Sequence, residues 1–184
     1  MKEMVRCKPC GFIMEAGKYD TCPACGVSSK VFEPYKDRVS HKRRQLLDLD
    51  LHPIAVHFPQ TIAVFIFQFM LINIIFPHYK SDEILNFVQF LGILLPLAVF
   101  GAFVSGVIDA KIRFKKLSPS ALQKKMYWGT AMFLTSMAVP IFIVFFDKTL
   151  AIKLIILLST GLTLGIATIL ALMGKKLMYA EMPG

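Results

Sequence analysis

Four cysteines are the residues whose type and spacing most clearly indicate chemistry. Cys7 and Cys10 form one CxxCG motif, and Cys22 and Cys25 form a second one after a ten-residue insert. A CxxC turn directs two sulfurs towards one point, and the glycine that follows permits the backbone conformations that aim amide N–H groups at sulfur. Two such turns facing each other predict a tetrahedral cage of four sulfurs, which suits zinc or a single iron.

Reduced thiolates, rather than disulfides, are the expected state of these cysteines. Residues 1–6 contain neither the apolar segment nor the cleavage site of a secretory signal, so they do not indicate export to an oxidising compartment. No cysteine follows Cys25 in the 184-residue chain, which confines the thiol chemistry to one small unit. The spacing by itself leaves iron and zinc both open, because each accepts four thiolates in a tetrahedron.

Residues 5–35 as a whole resemble the short rubredoxin-like domain of rubrerythrins. The likeness rests on CxxCG followed by Phe12, on a short acidic insert that contains a glycine, on CPACG, and on the ending Phe32-Glu33. The resemblance implies one iron held by the four cysteines and the transfer of single electrons. The alternative is a zinc ribbon that folds the N-terminus and docks a partner.

The rest of the chain has the composition of a membrane protein. Hydrophobic residues make up 55% of the sequence and charged residues 18%, and the mean hydropathy is +0.59. Soluble domains contain roughly 45–50% hydrophobic residues and about 25% charged residues. Four charge-free runs are long enough to cross a hydrocarbon core of about 30 Å at about 1.5 Å per residue. These predicted spans cover residues 54–77, 84–108, 126–146 and 154–174.

The predicted fold is an all-α membrane four-helix bundle preceded by a small rubredoxin-like or zinc-ribbon metal domain. The small domain carries the cysteines, and a basic linker joins it to the helices. The predicted segments are residues 1–35 for the metal domain, 36–51 for the juxtamembrane linker, 52–176 for the four-helix domain and 177–184 for the tail.

The distribution of charge predicts how the spans are oriented. Lys and Arg concentrate in the linker 36–51, in the connection 109–125 and after the fourth span, whereas the two short connections hold few. By the positive-inside rule, both termini and the cysteines face the cytoplasm at the inner membrane. Tyr127 and Trp128 begin the third span, where interfacial aromatic residues are expected, on the same face.

Polar residues near the ends of the first two spans form a second candidate site. Because these spans run antiparallel, His57 in the first and Asp109 after the second return to one membrane face. His52 and Gln60 lie near His57 in the sequence, and ionisable groups at such depths suggest function. We expect these four residues to contact a quinone headgroup. The alternative is structural, with His57 bonded to a neighbouring helix and Asp109 paired with Arg113.

The stretch HPIAVHFP, which opens the first span, resembles the start of an uncharacterised bacterial family of small four-helix membrane domains. The likeness covers roughly residues 50–175 and rests on that motif, a glycine-rich second span ending in Asp109, and the four-span layout. Because that family's function is unsettled, the likeness implies a fold and no mechanism.

Haem b is a further cofactor to weigh, because it usually takes two histidine ligands at matching depth. Only His57 lies within a predicted span, since His52 is near the interface and His78 is at the opposite face. Haem would therefore require His57 from two subunits of a homodimer, or an inward movement of His52.

These observations together predict a membrane-anchored one-electron carrier between a cytoplasmic donor and a membrane redox partner or quinone. The expected partners are the lipid bilayer and a redox protein or larger respiratory or photosynthetic complex. Nucleic acid is not expected, because the net charge of +9 is explained by basic residues beside the spans. The rival is a structural accessory subunit with a zinc ribbon. The sequence contains no GxSxG, phosphate-loop or HExxH motif that would indicate a hydrolase.

Overall fold

The computed structural model describes residues 3–36, 40–114 and 117–178. The chain divides into two compact units, with the boundary between Gln45 and Leu46. The first is a small strand region that contains the four cysteines, and the second is helical. The coarse fold prediction, a small cysteine-bearing unit followed by four long apolar helices, is confirmed.

The cysteine unit is built on a three-stranded antiparallel sheet in the order β2-β1-β3. Strand β1 spans Met4–Cys7, β2 spans Ile13–Glu15 and β3 spans Phe32–Tyr35. A 3₁₀ turn at Ser29–Val31 leads into β3. The central strand ends at Cys7, so the sheet fixes the position of the first CxxC turn.

Little apolar surface is buried in this unit. Its buried residues among those described are Cys7, Met14 and Cys22, against which Val5 and Phe32, among others, pack. An ion pair between Arg6 of β1 and Glu33 of β3 links these two neighbouring strands. Because so small a core rarely sustains a fold alone, the unit needs a further tie such as a metal.

The helical unit has four long helices preceded by two short ones, the first of which crosses the boundary between the two units. The helices are α1 His41–Asp48, α2 Leu51–Ala55, α3 His57–Ile75, α4 Ser81–Phe114, α5 Ser120–Phe145 and α6 Leu150–Met178. Each long helix packs on the next, and α6 packs back on α3, so the four helices close into a bundle. All four are long and apolar enough to cross a membrane, which is consistent with a multi-pass membrane protein.

Prolines explain where the first apolar segment is interrupted. A proline ring clashes with the carbonyl group four residues earlier and breaks the helix there. Four residues before Pro53 is Leu49, between α1 and α2, and the next residue, Asp50, has a left-handed φ of 46°. Four residues before Pro59 is Ala55, the last residue of α2.

The observed helices extend beyond several predicted spans. Helix α4 continues to Phe114 and α5 begins at Ser120, so the connection predicted at 109–125 is shorter than expected. The residues predicted as the linker 36–51 include helix α1 and the start of α2. Charged residues end an apolar run, but they do not end a helix, and this is why the predicted boundaries differ from the observed ones.

The bundle interior is mostly apolar, with Asn73, Ser136, Thr160 and Thr163 as buried polar residues, and its outer surface is apolar too. Ile66, Leu95 and Val139 are completely buried. Facing outwards, Leu158 is 71% exposed and Leu97 is 64% exposed. Contiguous apolar surface of this kind suits a hydrocarbon environment better than water.

Candidate metal centre and interhelical cavity

The first cysteine turn is a closed backbone loop at the end of β1. The Cys7 N–H donates to the Phe12 carbonyl at 2.8 Å, and the Gly11 N–H donates to the Cys7 carbonyl at 2.8 Å. Gly11 has a φ of 74°, in the region that favours glycine. This left-handed residue turns the chain back, which allows Cys7 and Cys10 to present their sulfurs on the same side.

The second cysteine turn repeats this geometry at the same offsets. The Cys22 N–H donates to the Val27 carbonyl at 2.8 Å, and the Gly26 N–H donates to the Cys22 carbonyl at 2.8 Å. Gly26 has a φ of 77°. The two turns therefore have the same geometry, as the CxxCG motif that they share predicts.

The four sulfurs converge on one point. The Cys7 and Cys25 sulfurs are 3.6 Å apart, those of Cys10 and Cys22 are 3.5 Å apart, and all four lie within 4.8 Å of one another. A tetrahedral ion with metal–sulfur bonds of about 2.3 Å separates its sulfurs by about 3.8 Å. None of the four forms a disulfide. The residues present therefore fit a four-thiolate metal ion, and the prediction of such a cluster is confirmed.

The two cysteines of each turn differ in exposure. Cys7 and Cys22, the first of each pair, are buried, whereas Cys10 is partly exposed and Cys25 is exposed. An ion held here would be anchored from the interior side and reachable from solvent through Cys10 and Cys25.

The metal-free thiols differ in acidity because their surroundings differ. Burial raises the pKa of Cys7 to about 12. Burial also acts to raise the pKa of Cys22, but backbone N–H groups of Cys25 and Ala24 outweigh it and lower the pKa to about 7. At Cys25 the Val27 N–H favours the thiolate, yet partial desolvation and the neighbouring thiols of Cys10 and Cys22 leave the pKa raised. A divalent cation would displace the protons of all four thiols, since thiolate is the ligand form.

A second site lies inside the helical unit, where a cavity of about 490 Å³ opens between the long helices. His52, His57, Gln60 and Asp109 all line it. The structure therefore brings together the four polar residues that the sequence selects for ligand contact. Arg113 lines the same cavity.

The two aromatic residues at the start of the third predicted span lie outside the cavity lining. Tyr127 is 76% exposed and Trp128 is 40% exposed, and neither lines the cavity. Both are sequence neighbours of Met126 and Gly129, the residues of α5 that line the cavity on either side of them. They project from a face of α5 that does not line the cavity.

His52 is held tightly against helix α4. Its Nδ1 lies 3.2 Å from the Ala102 carbonyl and 3.3 Å from Ser105 Oγ. A Cβ on Gly106 would lie 2.8 Å from the imidazole carbon Cε1, so the ring packs where only glycine leaves room. The side chain thus occupies a fixed place in the cavity wall.

The other ring nitrogen of His52 identifies its protonation. Lys125 Nζ lies 3.5 Å from His52 Nε2, and an ammonium group can only donate. With Lys125 as an ammonium group, Nε2 is assigned as the acceptor and Nδ1 as the donor to the Ala102 carbonyl. In this arrangement His52 is a neutral imidazole with both nitrogens engaged, so a haem iron would have to displace one of its contacts.

Asp109 and Arg113 form an ion pair on α4, with Arg113 Nε 3.3 Å from Asp109 Oδ2. Arg113 also approaches Asp50 at 3.9 Å. The pairing of Asp109 with Arg113 is the structural alternative expected from the sequence. It does not remove these groups from the cavity, because both still line it.

Lys125 is the site residue that sequence reasoning missed. It was assigned to the connection before the third span, whereas the structure places it within α5, beginning at Ser120, and on the cavity wall. The available signal was helical spacing, since Lys125, Gly129 and Met132 recur at one face of a helix and all line the cavity.

Comparison with known proteins returned no family model, no curated protein and no solved structure that matches this chain.

Proposed function

We propose that this chain is a membrane-anchored one-electron carrier whose four cysteines hold a single iron. The observation that carries the proposal is the convergence of four unoxidised cysteine sulfurs within 4.8 Å, two of them reachable from solvent. A metal centre that exchanges electrons with a partner must lie near the surface, and Cys25 supplies that exposed edge.

The surroundings of the cysteines support docking of a partner protein. Phe12, which follows the first turn, is 42% exposed, and Val31 is 37% exposed. Apolar side chains beside a partly exposed centre suit a small and transient contact, as expected between electron-transfer partners.

The proposed location is the cytoplasmic membrane, with both termini in the cytoplasm. Four helices of sufficient length and apolar character support the membrane assignment, and the concentration of Lys and Arg at one end of the spans supports the orientation. The cytoplasm is also the compartment that keeps four cysteines reduced.

The proposed membrane partner is a redox protein, alone or in a larger respiratory or photosynthetic complex, or a quinone. The quinone version is supported by the convergence of His52, His57, Gln60 and Asp109 on one cavity. Haem b has weaker support, because both ring nitrogens of His52 already have contacts and binding through His57 would require a homodimer.

Metal analysis combined with visible absorption tests the proposal on the purified full chain. We expect one iron per chain and a coloured ferric form that bleaches on reduction. Cys10→Ser should abolish or shift the absorption, whereas Ser29→Ala, an exposed position in the same unit, should leave it unchanged.

The second candidate is a structural accessory subunit in which the same four sulfurs hold zinc. The geometry of the cage suits zinc as well as iron, because both form tetrahedral thiolate sites. A colourless protein that carries one zinc per chain and no iron would establish this candidate and remove the electron-carrier proposal.

A further inference from the structure

The cavity of the helical unit has an apolar end and a charged end. Along α4 its lining runs from Val99 to Arg113, which at about 1.5 Å per residue is a length of about 20 Å. Val99 and Met132 line the apolar part, whereas Asp109, Arg113 and Lys125 line the other. A cavity of this shape fits an elongated molecule with a polar head and an apolar tail.

The charges at the polar end are unbalanced. Among the described residues that line the cavity, Arg113, Lys125 and Lys175 are cations and Asp109 is the single carboxylate. That carboxylate is already bonded to Arg113. Among the described residues, no carboxylate lies within ion-pair distance of Lys125, so this partly buried cation faces the cavity with Asp109 acting on it only at longer range.

His52 does not supply the missing negative charge. Its imidazole is neutral and accepts one of the three hydrogen bonds that the Lys125 ammonium can donate. The contact orients Lys125 and leaves donors for a ligand. Because a partly desolvated cation is stabilised by an anion far more than by a neutral acceptor, the ligand head should be acidic.

We propose that this cavity binds an acidic lipid-like amphiphile, with its carboxylate or phosphate oxygens on Lys125 and its alkyl chain between the helices beside Val99 and Met132. His52 is a positioning residue, fixed against Gly106, that holds the ammonium in place. The proposal goes beyond electron transfer and does not depend on which metal the cysteines hold.

The single tryptophan of the chain, which lies beside the cavity without lining it, provides a short-range readout of binding. Trp128 lies on α5 between the lining residues Met126 and Gly129, and bromine quenches tryptophan fluorescence at short range. The full chain in non-ionic detergent is titrated with dibrominated stearic acid and, separately, with its neutral methyl ester. We expect half-maximal quenching by the acid at about tenfold lower concentration, because only the acid offers a charged acceptor.

A pair of adjacent lysines supplies the matched variants. Lys125→Gln should raise the half-maximal concentration of the acid about tenfold and leave that of the ester unchanged. Lys124→Gln removes the same charge at an exposed position that does not line the cavity, and it should change neither. Lys125→Arg keeps the charge and should retain most of the preference for the acid.

Either of two results from these titrations would overturn the proposal: equal quenching of the unmodified protein by acid and ester, or equal effects of Lys125→Gln and Lys124→Gln. The acid–ester comparison uses the unmodified protein, so it tests the proposal even if a variant fails to fold. Displacement of the brominated acid by an equal concentration of a neutral quinone would also overturn it and assign the cavity to quinone. Brominated phosphatidic acid distinguishes the source: tighter binding than stearate indicates a phospholipid phosphate, and weaker binding indicates a free fatty acid.

Discussion

The cysteine unit and the helical unit differ in what holds each of them folded. In the cysteine unit the described interior is small, and the hydrogen bonds of both turns join residues five or fewer positions apart. In the helical unit a continuous apolar core joins all four long helices, including completely buried Ile66 and Val139. We therefore expect the small unit to depend on a ligand for stability and the large one to depend on packing.

Their candidate sites differ in the same way. The four-sulfur cage is assembled from two short turns whose geometry is repeated almost bond for bond. The cavity is assembled from side chains distant in sequence, such as His52, Gly106 and Lys125, which meet only through helix packing. Changes to the metal should therefore leave the cavity intact, and changes to the bundle core should leave the cage intact.

Removal of the metal should have the largest effect of the changes considered, and it should affect only the cysteine unit. Structural tetrathiolate sites contribute about 10 kcal/mol or more to folding at neutral pH. A strong chelator should therefore unfold the cysteine unit, while the helical unit retains its structure. Hydrogen exchange should show lost protection at Val5 and Phe32 but unchanged protection in α3 to α6, and added metal should restore it. Loss of helix protection on chelation would mean that the two units fold as one.

Truncation of a core side chain should have the next largest effect, and only on the helical unit. Ile66 is completely buried, so Ile66→Ala should lower the free energy of unfolding by about 2–5 kcal/mol. Leu158, at 71% exposure, provides the matched control, since Leu158→Ala leaves no interior cavity. Denaturation in detergent, monitored by circular dichroism, measures the free energy of unfolding of both variants. Equal losses would show that the outward face of α6 is buried against a partner.

Two glycines of α4 should show the smallest effects, of opposite sign. A Cβ at Gly92 would lie 3.0 Å from Val139 Cγ1, whereas nothing lies within 4 Å of one at Gly101. Gly92→Ala should therefore destabilise the bundle by about 1 kcal/mol through overpacking. Gly101→Ala should stabilise it by up to about 1 kcal/mol through helix propensity. Thermal unfolding compares them directly, and a stabilising Gly92→Ala would show that α5 moves aside at no cost.

Much of the cysteine site could be predicted from the sequence. Two CxxCG motifs specify turns whose hydrogen bonds and positive-φ glycines involve residues within a few positions of each other, and the structure shows these features at Gly11 and Gly26. The difference in exposure between Cys7 and Cys25 could not be predicted, because it depends on how the sheet covers each turn.

The number of long helices could also be predicted, since it depends on length and apolar composition alone. The ends of the helices could not be predicted, because Lys125 precedes the third apolar run and yet lies within helix α5. For the same reason the sequence assigned Lys125 to a connection, and the structure assigns it to a cavity wall.

By itself, the sequence determined which residues are neighbours along each turn and each helix, and hence the two cysteine turns and the four apolar segments. Only the tertiary structure decided that His52 packs on Gly106 and reaches Lys125. The physical reason is distance along the chain. Contacts between residues a few positions apart follow from local backbone geometry, whereas contacts across helices depend on how whole faces pack, which the uniformly apolar spans leave unspecified.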